Sequence, residues 1–351
     1  MEVAASHWTE NSSFSNPLTS AEFVTVRAVV PPYIMAVSML GLALNAFVLC
    51  VFLAHKDRLS VAEVYLGNLA LADLAVLCGL PFWAANILNG YDWRYGDALC
   101  KMVNGVMTVN LYTSVYTLVM ISVDRYMAIV MTMRARRLRR TRHAKVVCAL
   151  LWILGLSLST PTILHRKVMY FEEFQMTFCL LDYSHGSAWK LANQILLNVA
   201  GFAVPALVIV FSSGAIIAAL RRRKESVGDQ DVNDAKASAL LYAVTLLFIL
   251  CWGPYQVFTF LDTLCDVRVL DAATWSRALD VGGQVSAYLG VLNSALNPVL
   301  YVISGQYFRK KVCAVYRTAR RNRRGSDVTT NQRSVVSTYV HRPEQIKPVV
   351  I

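Results

Sequence analysis

Long apolar stretches alternate with short polar ones along most of the chain. Seven of the apolar stretches, near 29–54, 61–88, 98–131, 144–165, 190–220, 237–264 and 279–303, exceed the roughly 20 residues a helix needs to cross about 30 Å of hydrocarbon. They lack the two-residue alternation of a barrel strand, and an open sheet edge cannot face lipid, so each predicts a helix. The expected fold is an all-α bundle of seven membrane-spanning helices over 29–303. An outer segment (1–28) precedes it; a short amphipathic juxtamembrane helix (304–317) and a disordered tail (318–351) follow.

Composition agrees with that pattern. Of 351 residues, 56% are hydrophobic and 16% charged, and the mean hydropathy is +0.45, too apolar for an ordinary soluble domain. Charge then orients the bundle, because basic residues stay on the cytoplasmic side. The connections 1–28, 89–101, 165–190 and 262–280 hold 8 Lys/Arg against 12 Asp/Glu, whereas the rest of the chain holds 26 against 10. That basic side includes "RARRLRRTRHAK" (134–145), "RRRK" (221–224) and "FRKK" (308–311) and is expected to face the cytosol, with the N-terminus outside. The net charge of +12 calls for no nucleic acid, since it is split among short loops flanking hydrophobic spans.

The start of the chain lacks a basic segment followed by an apolar core, so the first span is expected to be its own insertion signal. Asn11, in "NSS", is the one N-x-[ST] sequon and lies on the outer side, where it is a candidate for glycosylation. Cys50, Cys78, Cys148 and Cys251 lie within spans and read as small buried packing residues. Cys100 and Cys179 both lie on the oxidising outer side and are expected to form a disulfide. Cys265 has no evident partner. Cys313 follows "FRKK" at the inner membrane face, where it is either an S-acylation site or an ordinary interfacial thiol.

Polar residues inside spans carry most of the functional signal, because each is costly unless paired or facing an interior cavity. Asp73 sits mid-span, and Asn45, Asn68, Asn110, Ser114, Asn293, Ser294 and Asn297 lie at comparable depths. Asp73, Asn110, Ser114, Asn293 and Asn297 offer hard oxygen ligands for a small cation such as Na⁺; the alternative is a hydrogen-bonded network without an ion. Pro81, Pro161, Pro205, Pro254 and Pro298 mark points that bend. Trp252, two residues before Pro254, is either a switch or a static packing residue.

Several motifs in order then resemble one family. They are "DRY" (Asp124, Arg125, Tyr126) closing the third span, "CWGP" (251–254), "NPVLY" (Asn297, Pro298 to Tyr301), Asn45, "LALAD" ending in Asp73, Trp152, Pro205 and the Cys100/Cys179 pair. Over about residues 28–317 the chain resembles the rhodopsin-like (class A) G-protein-coupled receptors. The stretches "VAEVYLGNLALADL", "GLPFWA", "NLYTSV", "LLNVAGFAVP", "TFLDTL" and "FRKKV" are similar to the bradykinin receptors, their type-2 branch above all.

That resemblance implies a plasma-membrane receptor, not an enzyme, for a short peptide with arginine at both ends. It implies that Asp262 and Asp280, at the outer ends of the sixth and seventh spans, hold the peptide's N-terminal arginine. Bidentate guanidinium–carboxylate pairing suits them, and the excess of acids outside would steer a cationic peptide inward. Solvated rim charges are the alternative. Thr108 stands where the type-1 branch carries lysine, which implies a preference for the full-length peptide over one lacking its last arginine. Arg166 matches a position near the peptide's C-terminus, and Trp83, Tyr255, Thr259 and Gln284 are expected to line the pocket. Tyr255 replaces a family phenylalanine.

By the same resemblance the partner is a heterotrimeric G protein of the Gq/11 class, with Gi as the alternative. Ser326, Thr329, Thr330, Ser334, Ser337 and Thr338 form a cluster for receptor kinases and arrestin, against a merely solvated tail. Arg125 is expected to exchange Asp124, and Asp234 at the inner end of the sixth span, for the G protein on activation; the alternative for Asp234 is a loop charge. An opsin would need a lysine in 279–303, which has none, and Met107 replaces the acid of an amine receptor. A transporter would show inverted repeats or paired broken spans. The remaining alternative is a receptor for another short peptide, angiotensin-like or chemokine-like.

Overall fold

A computed structural model describes residues 21–55, 58–131, 139–182, 187–223, 229–304 and 308–317, with the backbone alone over 21–23, 187, 223, 229–241 and 301–304. Four long helices come first: α1 (Ala21–Ala54), α2 (Val61–Leu88), α3 (Gly96–Ile129) and α4 (Thr141–His165). A hairpin of β1 (Arg166–Phe171) and β2 (Met176–Leu181) follows. Then α5 runs through Ser187–Asn198, a π-helical turn at Val199–Ala203 and Val204–Arg223, ahead of α6 (Asp229–Asp266) and α7 (Ala272–Ser304). A short α8 occupies 308–317.

Among the described residues, six of these helices are long and apolar enough to cross a membrane by length and composition. The seventh, α7, runs 33 residues and carries Ser286, Asn293, Ser294 and Asn297 on its buried face. Outward positions are apolar, with Leu53 83% and Leu207 70% exposed, while Asn45, Asp73 and Thr117 are fully buried. Apolar outside and polar inside is the pattern lipid imposes. Two cysteines depart from expectation: Cys148 and Cys251 are buried, but Cys50 and Cys78 are exposed, since their helical positions fall on the outward stripe.

Proline positions explain how the helices are tied together. A proline at position i lacks the N–H that would bond the carbonyl at i−4. Pro81 thereby frees the Leu77 carbonyl, and the Ser38 hydroxyl of α1 donates to it at 2.9 Å. Pro298 frees the Ser294 carbonyl, and the Asn45 amide of α1 donates to it at 2.9 Å. One face of α1 thus mends two broken ladders. In α5 the chain adjusts itself instead: Val204 N–H reaches back five residues to the Val199 carbonyl just before Pro205. Asn68 joins three helices, donating to Thr117 Oγ1 at 2.9 Å and accepting from Trp152 Nε1 at 3.0 Å.

Over the end of the bundle that the charge pattern assigns to the outside, the hairpin pairs Val168 with Cys179. Cys179 is bonded to Cys100 at the start of α3, with Cα atoms 5.8 Å apart. The loop before α3 is sewn to the same hairpin: Trp93 N–H donates to the Thr177 carbonyl at 2.6 Å, and Thr177 N–H donates to Asp92 Oδ1 at 2.9 Å. That backbone N–H, with Arg94, holds the Asp92 carboxyl below the usual carboxylate range. At the inner end, Phe308 of α8 packs edge-on against Phe47 and Phe52, and Lys311 pairs with Glu63 at 2.8 Å. Glu63 also closes a capping box with Ser60, which starts α2.

Candidate functional site

At the outer ends of α5 and α6 a carboxylate is withdrawn from solvent. Asp262 is 1% exposed, Gln194 Nε2 donates to its Oδ2 at 2.6 Å, and Lys190 Nζ lies 3.5 Å from the same oxygen. Lys190 lies closer, at 2.7 Å, to Asp266 Oδ1. Lys190 and Gln194 are four residues apart, as are Asp262 and Asp266, so each pair shares one helix face and the two faces meet. Neither Lys190 nor Gln194 belongs to a motif. The one signal for them is that they sit a turn apart at the start of a helix. Asp280 is half-buried near the start of α7.

Deeper residues form a wall and a floor. Tyr255 and Thr259 are buried, with the Thr259 hydroxyl donating to the Tyr255 carbonyl at 2.9 Å. The Tyr255 ring stands edge-on to Trp252 at 6.0 Å. Trp252 in turn lies against Gly290 of α7, where an added Cβ would sit 3.0 Å from the indole and push the ring aside by a few tenths of an ångström. Gln284 is half-buried and Arg166 buried. The Thr108 hydroxyl donates to the Asn104 carbonyl at 3.1 Å. Trp83 belongs to an aromatic group under the first outer loop, its ring 6.0 Å from Trp93, so it faces that loop's packing as well as the bundle.

In the middle of the bundle, Asp73 Oδ1 accepts from Asn110 at 3.3 Å and Oδ2 from Asn297 at 3.0 Å. Asn110 also donates to Ser114 Oγ at 3.2 Å. The side-chain oxygens of Asn293 and Asn297 are buried without a hydrogen-bond donor among the described residues. One carboxylate with amide and hydroxyl oxygens around it is the donor chemistry of a small hard cation. Among the described residues no cluster of three or more His, Cys, Asp or Glu side chains could hold a metal.

The inner end corrects one expectation. Asp124 is 2% exposed, but its partner is Arg139, not Arg125: Arg139 Nε donates to Oδ1 at 2.8 Å and Arg139 Nη2 to Oδ2 at 3.1 Å. The fork geometry occupies both oxygens at once, which Arg125, the next residue of the same helix and so pointing to a different face, is poorly placed to do. Arg139 lies just before α4, so this pair staples the second inner connection to α3. Nearby, the Tyr126 ring approaches Phe211 of α5 at 6.2 Å, and Tyr242 of α6 donates to the Ser213 carbonyl at 3.2 Å. For Asp234 and Tyr301 the backbone alone is described, within α6 and α7. Asn11, Ser326, Thr329, Thr330, Ser334, Ser337 and Thr338 lie outside the described residues, and Cys313 is exposed on α8.

The sequence is similar to those of known proteins. Residues 44–301 match the family model of the 7 transmembrane receptors (rhodopsin family). The chain is 43% identical to the B2 bradykinin receptor of Oryctolagus cuniculus over 290 residues, 82% of this chain and 79% of the relative. It is 42% identical to the B2 bradykinin receptor of Mus musculus, over 83% of this chain and 75% of the relative. It is 41% identical to the B1 bradykinin receptor of Homo sapiens, over 83% of each chain.

Proposed function

We propose that this chain, which belongs to the rhodopsin family of seven-transmembrane receptors, is a receptor for bradykinin-type peptides, set in the plasma membrane with its N-terminus outside and its C-terminus in the cytoplasm. Relatives named as bradykinin receptors, alike over about four fifths of the chain, support the ligand class. The observation that carries it is Asp262, a carboxylate 1% exposed at the outer end of α6 and held by groups from α5. A buried acid at the mouth of a bundle is matched by a guanidinium, whose paired N–H groups satisfy both oxygens. Asp280 is the second acid for that arginine; Tyr255, Thr259, Gln284 and Trp83 line the path inward, and Arg166 takes the peptide's C-terminal end.

The full-length peptide is the preferred agonist in this reading. Thr108 offers no charge for a newly exposed carboxylate, and its hydroxyl is already given to the Asn104 carbonyl. Agonist shifts the population toward a bundle in which α6 swings outward about Pro254, Trp252 repacks against α7, and Arg125, Tyr126 and Tyr301 meet a helix of a Gq/11-class G protein. The chemistry of Asp73, Asn110, Ser114, Asn293 and Asn297 fits a sodium ion that would favour the resting arrangement. A glycan on Asn11, an acyl chain on Cys313 and phosphates on Ser326, Thr329, Thr330, Ser334, Ser337 and Thr338, read by arrestin, complete the proposal.

The test is calcium flux in cells expressing the receptor, comparing bradykinin with the same peptide lacking its last arginine. A response to bradykinin at lower concentration is expected. Silence toward both peptides overturns the ligand, and preference for the shortened one overturns the role given to Thr108.

A further inference from the structure

The candidate acid for the ligand's cation already has a cation of its own. Lys190 Nζ lies 3.5 Å from Asp262 Oδ2 and 2.7 Å from Asp266 Oδ1, and its side chain is only 14% exposed. We propose that Lys190 is a built-in competitor for the cationic end of the ligand: it stands on Asp262 until a guanidinium displaces it, and so determines which peptide ends the receptor accepts. This rests on the reading of Asp262 given above.

The geometry is that of an exchange rather than a permanent bridge. An ammonium is a compact charge with three donors that two carboxylates can share, whereas a guanidinium makes two parallel bonds to one carboxylate. Lys190 sits nearer the more open acid, Asp266, which is 26% exposed against 2% for Asp262. An arriving guanidinium can therefore take Asp262 while Lys190 keeps its shorter contact with Asp266. Gln194 donates to Asp262 Oδ2 at 2.6 Å, which keeps the carboxylate oriented as one cation replaces the other. A ligand with a neutral end gains nothing by displacing the ammonium. The same contacts tie the outer ends of α5 and α6 together, so the exchange removes one of three links, Lys190 to Asp262, and leaves the other two in place.

Two variants move the competition in opposite directions. With full-length bradykinin and an analogue whose first arginine is neutral, calcium concentration–response curves give a potency ratio within each variant, independent of the amount of receptor at the surface. Lys190→Met removes the competitor, and the arginine-ended peptide is expected to gain roughly three- to tenfold in potency while the neutral analogue stays put. Asp266→Asn removes the competitor's other anchor and leaves Lys190 to Asp262 alone, so the arginine-ended peptide is expected to lose several-fold against the analogue. A Lys190→Met receptor whose ratio is unchanged, or in which both peptides shift together, overturns the competition while leaving the ligand assignment intact. A wild-type receptor silent to both peptides overturns the ligand assignment and the competition with it.

Discussion

Two buried acids, one at each end of the bundle, are held in different ways. Asp124 at the inner end of α3 has both oxygens engaged by one guanidinium, at 2.8 and 3.1 Å. Asp262 at the outer end of α6 accepts from an amide at 2.6 Å and lies 3.5 Å from an ammonium whose shorter bond goes elsewhere. The inner acid is closed to newcomers, and the outer one is poised to change partner. A bidentate pair is a staple, whereas a divided ammonium is a placeholder, and that contrast fits a molecule that receives its signal at one end and must stay quiet at the other until it does.

Removing the outer acid is expected to have the largest effect. Asp262→Ala should weaken full-length bradykinin about 100-fold, in line with losses for truncating one side of a desolvated charge pair, with calcium flux as the measurement. Breaking the inner pair comes next. Arg139→Ala strands a carboxylate that is 2% exposed; it should cost roughly 2 kcal/mol, less than a fully buried pair because Arg139 is partly in water. Lower thermal stability of the purified receptor and raised basal signalling are expected, and Asp124→Asn in the same background should restore both; a stable, quiet Arg139→Ala receptor would show that the staple holds nothing.

A smaller effect is expected from Tyr242→Phe, which removes one hydrogen bond between α6 and the Ser213 carbonyl. About 1 kcal/mol of resting-state stability should go with it, visible as a severalfold-or-less gain in agonist potency. The smallest concerns Asp92, whose lowered carboxyl pKa means that its hold on the hairpin is fully present above the ordinary carboxylate range and is lost as pH falls through the lowered value. Peptide binding measured from pH 7 to 5 should therefore show no loss traceable to Asp92, and Asp92→Asn should leave any decline in that range unchanged.

The bundle itself was legible, because lipid demands long apolar runs and few other constraints compete with that demand. So was the disulfide, for which the outer side offered Cys100 and Cys179 at the bundle mouth. The partners of the two acids were not. Arg139 is one of several arginines in a single basic loop, and nothing in a run of like charges marks the one that folds back. Lys190 looked like an ordinary outer-loop lysine until α5 and α6 were packed side by side. The bonds made by Ser38 and Asn45 could have been anticipated from a rule the sequence does contain, since Pro81 and Pro298 each leave a carbonyl at i−4 that some donor must reach. Which helix would supply the donor depended on packing.

The most direct test of the outer site crosses Asp262→Asn with a bradykinin analogue whose N-terminal arginine is neutral, and measures binding for all four combinations. If the arginine sits on Asp262, either change alone should forfeit most of the affinity that both together forfeit. Losses that simply add would place the arginine elsewhere and contradict the account.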